Sequence, residues 1–151
     1  MRIRIYGTPQ NVSRREVCKA LRYYAGVLMS PTVVETLSIR VDFGTYHGCK
    51  GEMEWIDRPE RPRRFRIGIR ASLSREMALE SLAHEMVHVK QYATGQMRDY
   101  LNDPDFVRWE GEAWVSDTDT LDERYWFAPW EIEARGWERG LSKMFQLTLK
   151  K

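Results

Sequence analysis

The sequence predicts an α+β fold in which a small mixed or antiparallel sheet packs on one long helix, with a second long helix near the C-terminus. Apolar and polar residues alternate with period two in Arg2–Tyr6 and Arg64–Arg70, the signature of half-buried strands. The period then changes to 3.6 over residues 74–94, where Leu79, Leu82, Ala83, Met86, Val87 and Val89 define a broad helical face. With 151 residues, the chain is of ordinary length for one hydrophobic core, so residues 1–151 are read as a single domain.

Taken in order, the first strand ends at Gly7, Thr8 and Pro9, which supply turn chemistry before Asn11 or Ser13 caps a helix running to about Ala25. Residues 33–43 (VVETLSIRVDF) are rich in β-branched side chains, residues 44–51 hold three glycines, and residues 52–56 alternate again. That pattern predicts a hairpin. Two prolines make residues 57–63 a loop, and Arg64–Arg70 (RFRIGIR) follows as a third strand of this group. Ser74 suits the N-cap of the long helix, Glu76 its first turn and Gly95 its stop. Residues 96–128 are expected to be mostly loop, with one short hairpin around WEGEAW. Pro129 then fits the first turn of the last helix, along which Trp130, Ala134, Trp137, Leu141, Met144 and Phe145 recur at helical spacing.

Composition excludes several classes of protein. No apolar run approaches the ~18 residues that a membrane span requires, and the N-terminus MRIRIYGTPQ has no signal-peptide pattern, so no membrane partner and a cytoplasmic location are expected. Cys18 and Cys49 have no C-x-x-C neighbours and are read as free thiols of a reducing compartment. A net charge of +2 gives no ground for a nucleic-acid partner, although its distribution is uneven. Residues 58–70 carry six arginines against one glutamate, and residues 105–133 carry nine acids against two arginines. Alternating carboxylates in DTDTLDE suggest a calcium loop, but the glycine and the final glutamate of such a loop are missing.

The segment ESLAHEMVHVKQY concentrates the chemistry. It holds His84 and His88, two of the three histidines, at i and i+4, so on a helix both project from one face and can reach one ion. Zinc accepts two imidazole nitrogens at this spacing. Glu85 follows His84 by one residue, where it need not ligate and can instead take the proton of a metal-polarised water. This is the H-E-x-x-H pattern of zinc hydrolases, in which the glutamate is the general base. A catalytic site needs a third protein ligand and an open position. No histidine follows His88, and His47 lies in the glycine-rich stretch and reads as a turn residue. A carboxylate must complete the set, and PWEIEARG offers Glu131 and Glu133, which periodicity alone does not separate.

HEMVH followed at a distance by Glu131-Ile132-Glu133-Ala134 resembles the gluzincin metallopeptidases, in which a glutamate of a second helix, often in an E-x-x-A setting, completes a two-histidine zinc site. The resemblance covers residues 72–141, and the order of elements is similar to minimal zincin-like domains, including metallopeptidases assigned to phages and mobile elements. It implies a zinc metalloendopeptidase with His84, His88 and Glu131 as ligands and Glu85 as base. One departure is Arg135, which stands where some gluzincins carry an aspartate that orients a histidine. The mechanism also needs an oxyanion donor, for which Tyr125 is the candidate, with Tyr92 and Tyr100 as rivals. The resemblance further implies a protein or peptide substrate added as a strand along an exposed sheet edge, here expected at residues 64–70. Two alternatives stand beside this reading. One is a non-catalytic zinc-binding structural or assembly protein using the same ligands; the other is a DNA-associated protease suggested by the arginine cluster.

Overall fold

The computed structural model describes residues 1–46, 48–100, 103, 105–115 and 123–150, and it is of mixed α+β composition. Strand β1 (Arg2–Tyr6) leads into helix α1 (Arg14–Leu28), whose N-terminus is capped by Ser13 Oγ accepting from the Glu16 amide at 3.1 Å. A short helix α2 (Pro31–Thr36) precedes β2 (Ser38–Gly44). Residues 33–36 of the β-branched run at 33–43 are therefore helical, because Pro31 sits in the first turn and starts a helix that its neighbours' strand propensity does not prevent.

Strands β3 (Gly51–Trp55) and β4 (Arg64–Arg70) complete a mixed sheet of order β1-β2-β4-β3. The expected β2–β3 hairpin does not form. Strand β4 inserts between the two, parallel to β2 and antiparallel to β3. Burial explains the order. With Phe65, Ile67, Gly68 and Ile69 buried, β4 is the most buried strand of the sheet and takes an interior place, while β3 exposes Glu52 and Glu54 and takes the edge. This also corrects the expected docking site at residues 64–70. Both sides of β4 are already paired, and the free edge on that side of the sheet belongs to β3.

Helix α3 (Arg75–Thr94) runs from the Ser74 cap to Gly95, whose φ of 80° ends it in the left-handed region. It lies on the sheet face that carries Ile39, Val41, Phe43, Phe65, Ile67 and Ile69, and these share one core with Val17, Leu21 and Tyr24 of α1. Among the described residues no helix packs on the opposite sheet face, whose outward side chains are mostly charged.

Residues 96–115 hold more structure than the sequence suggests. Strands β5 (Met97–Asp99), β6 (Phe106–Trp109) and β7 (Glu112–Val115) form a second, antiparallel sheet. The expected hairpin is β6–β7, turned by Glu110 and Gly111 at φ 49° and 97°, the paired positive values that favour glycine in a two-residue turn. Strand β5 escapes the sequence because three residues show no period. Helix α4 (Glu123–Phe127) precedes α5 (Pro129–Thr148). Trp130, at the start of α5, packs with Met97, Val107, Trp109 and Ala128 in a second apolar cluster.

Among the described residues no helix is long and apolar enough to cross a membrane. Cys18 and Cys49 are free. His47 and residues 117–122 of the acidic stretch lie outside the described residues, so neither the turn reading of His47 nor the calcium reading is addressed.

Candidate metal centre

Helix α3 delivers His84 and His88 to one point. Their rings lie 4.8 Å apart between centroids and their Nε2 atoms 3.1 Å apart. Glu131, in the first turn of α5, meets them with Oε2 at 3.5 Å from His84 Nε2 and Oε1 at 3.3 Å from His88 Nε2. Two ligands bound at zinc–nitrogen lengths to a tetrahedral centre stand about 3.4 Å apart. The three separations have that size, and the three residues form a group that can hold a metal ion.

Hydrogen bonds at the far side of each ring fix its orientation and aim the Nε2 atoms at one point. His84 Nδ1 donates to Glu138 Oε2 at 2.7 Å, and His88 Nδ1 donates to Gln91 Oε1 at 2.8 Å. With Nδ1 holding its proton on the outer partner, Nε2 is the ring nitrogen that each histidine turns inward, and a metal would displace the proton that His84 Nε2 carries beside Glu131. Gln91 is itself held, donating to the Trp130 carbonyl and to Glu133 Oε2, both at 2.9 Å. Glu133 also accepts from Lys90 Nζ. The choice that periodicity left open is thereby resolved in geometry: Glu131 faces the histidines, and Glu133 faces Lys90 and Gln91.

Neither Gln91 nor Glu138 was singled out from the sequence, yet both carried a spacing signal. Gln91 is i+3 from His88, and Glu138 is i+7 from Glu131, so each lies along the ligand-bearing face of its helix. Arg135, one turn after Glu131, donates to Glu131 Oε2 at 3.0 Å and to the Trp126 carbonyl at 3.3 Å. It steadies the ligand carboxylate, while Glu138 orients the histidine.

These contacts set the charges. Burial lowers the His84 pKa, but hydrogen bonds to Glu131 and Glu138 outweigh it and bring it up to about 10 in the metal-free protein. Burial raises that of Glu131, and the two histidines outweigh it and hold the carboxyl well below its usual range. The Glu85 carboxyl is pushed up, chiefly by burial, against the opposing pull of His88 and His84.

Beside His84 and Glu85 lies a cleft of about 340 Å³, bounded by Gly51 at the start of β3 and by Trp126 and Arg135. Gly51 leaves room there for Glu85, since a Cβ would stand 2.9 Å from Glu85 Oε1 and would have to displace it. Tyr125 reaches the centre from α4: it hydrogen-bonds Glu131, and burial followed by the Glu131 charge moves its pKa up to about 12. Its rivals are elsewhere. Tyr92 donates to Asp99 Oδ1 at 2.6 Å, and Tyr100 lies by Arg98 and Arg108.

Comparison with known proteins adds no relative: no family model, no curated protein and no solved structure matches the chain.

Proposed function

We propose that the chain is a zinc-dependent endopeptidase of gluzincin type, with His84, His88 and Glu131 as ligands and Glu85 as general base. The observation that carries the reading is the triangle of three inward ligand atoms with a buried carboxylate one residue along the same helix, opening on a cleft. The donor set of two imidazoles and one carboxylate suits zinc with an open position, whereas structural zinc is closed by four protein ligands.

Bound zinc supplies the Lewis acidity that makes a water nucleophilic and a carbonyl electrophilic at neutral pH. Glu85 takes the proton of the attacking water and returns it to the leaving amine nitrogen. Its raised pKa brings a carboxylate nearer the range in which it can do both. Tyr125 remains protonated and can turn its hydroxyl from Glu131 to the developing oxyanion. The unpaired side of β3, which begins at Gly51 on the cleft, gives an extended peptide a line of backbone donors and acceptors.

Metal content and cleavage of a mixed peptide library, compared between the wild-type chain and Glu85→Gln, test the proposal. The substitution is expected to leave one zinc per chain and lower the cleavage rate by about 10²- to 10⁴-fold. Zinc bound with no peptide cleaved by the wild type would assign the site to a structural or assembly role instead.

A further inference from the structure

The open face of the four-stranded sheet has no part in the metal centre. Parallel strands are ordinarily covered on both faces. Here β1, β2 and β4 are parallel, and α1 and α3 share a core with one face only. The uncovered face carries cross-strand rows fixed by the register. Arg2, Ser38 and Arg64 form one row, and Arg4, Arg40 and Arg66 the next. Like charges directly opposite one another on neighbouring strands oppose pairing, so sheet stability does not account for three arginines in a single row.

Compensation is partial. Asp42 accepts from Arg40 at 2.8 Å and from Arg66 at 2.6 Å, and Arg66 also reaches Glu52 and Glu54 on β3. Arg2, Arg4 and Arg64 are exposed and have no ion pair among the described residues. Over β1, β2 and β4 the open face therefore sets six arginines against Asp42, one of which, Arg70, is turned to the Tyr46 and Cys49 carbonyls at the end where the Tyr46 ring lies over Gly68. Apart from Asp42, the acids of the described face, Glu52 and Glu54, stand on β3. Along a strand the rows repeat at about 6.7 Å, and strands lie about 4.8 Å apart, so adjacent phosphates of one chain can meet separate guanidinium groups. Tyr6 ends β1 on the same face, 45% exposed, with the Arg40 guanidinium stacked 4.5 Å from its ring centre.

From this arrangement we propose that the open sheet face binds single-stranded nucleic acid. Arg2, Arg4 and Arg64 take the phosphates, and the Tyr6–Arg40 stack receives an unpaired base. A flat sheet bearing forked cations and an aromatic ring fits a strand with free bases better than a duplex groove. The site is independent of the metal centre, which lies on the helix side of the sheet.

Fluorescence anisotropy with a labelled oligothymidylate of about 20 nucleotides, over about 50 to 200 mM salt, tests it. The wild-type chain is expected to bind with a steep salt dependence. The triple variant Arg2→Gln/Arg4→Gln/Arg64→Gln should weaken binding by at least about tenfold and reduce the log–log salt slope by about 2, three phosphates at about 0.7 each. Tyr6→Ala should weaken it about tenfold and Tyr6→Phe hardly at all. Lys19→Gln/Arg139→Gln, on the helix side, should leave it unchanged. No binding at the lowest salt, or equal loss in the helix-side variant, overturns the proposal. Polyglutamate competing as well as unlabelled oligonucleotide overturns it in favour of an acidic polypeptide partner.

Discussion

The two helices that build the candidate metal centre hold their candidate ligands in different ways. Helix α3 is buried on several sides, with Leu79, Leu82, Met86 and Val89 among its inward residues, so the backbone carrying His84 and His88 has one packed position. Helix α5 presents Glu131 from its first turn, where the chain arrives from α4, and that end is fixed by Trp130 in the second apolar cluster. Two candidate ligands thus come pre-arranged by a helical repeat, and the third depends on a packing contact that the helix itself does not supply. What joins them is polar: Gln91 of α3 touches His88, the Trp130 carbonyl and Glu133 at once.

This contrast can be broken at its weaker side. Glu131→Ala should abolish stoichiometric metal binding, while Glu133→Ala should keep one equivalent with reduced affinity, because Glu133 acts only through Gln91 and Lys90. Metal analysis of the two purified variants distinguishes them, and retention of metal in the first would remove Glu131 from the ligand set. Trp130→Ala should cost about 3 to 5 kcal/mol of stability by chemical denaturation. It should also lower metal affinity, since the same contact seats Glu131; unchanged affinity would mean that α5 is held from elsewhere.

Smaller effects sharpen the role of the polar links. Gln91→Leu and Glu138→Ala should each reduce metal affinity by about 10- to 100-fold in a chelator competition assay, without removing a ligand. The pH dependence is smaller again and has a definite sign. In the metal-free protein, His84 is raised from 6.5 to about 10, so its interaction with Glu131 and Glu138 stabilises the fold fully below about 6.5 and is lost as pH rises towards 10. Glu131 is depressed below 4.5, so its contribution is present above that value and is lost only in stronger acid. The melting temperature of the metal-free chain should therefore fall between pH 7 and 10, while that of the metal-loaded chain should not. Metal binding near pH 7 should release about one proton, measurable by titration calorimetry in buffers of different ionisation enthalpy.

Much of the centre is legible in one dimension because its parts are local. His84, Glu85 and His88 fall within one helical turn and a residue, and Ser74 and Gly95 mark where that helix starts and stops. Pro129 marks the start of the other helix in the same way. The strand order is not legible, because pairing is decided by which strand gains most from an interior place. The sequence neighbours β2 and β3 are parted by β4 for that reason, and the free sheet edge expected at residues 64–70 belongs to β3 instead.

By itself, the sequence determined the histidine pair, a candidate base beside it and two candidate carboxylates, since a helical repeat converts spacing directly into shared direction. The tertiary structure alone decided that Glu131 and not Glu133 faces the histidines, and that Gln91 and Glu138 orient them. It also turned a chain of net charge +2 into one with an arginine-lined sheet face. The reason is common to all three: they depend on which residues distant in the chain become neighbours, and that is fixed by burial and pairing across elements rather than by any period along one of them.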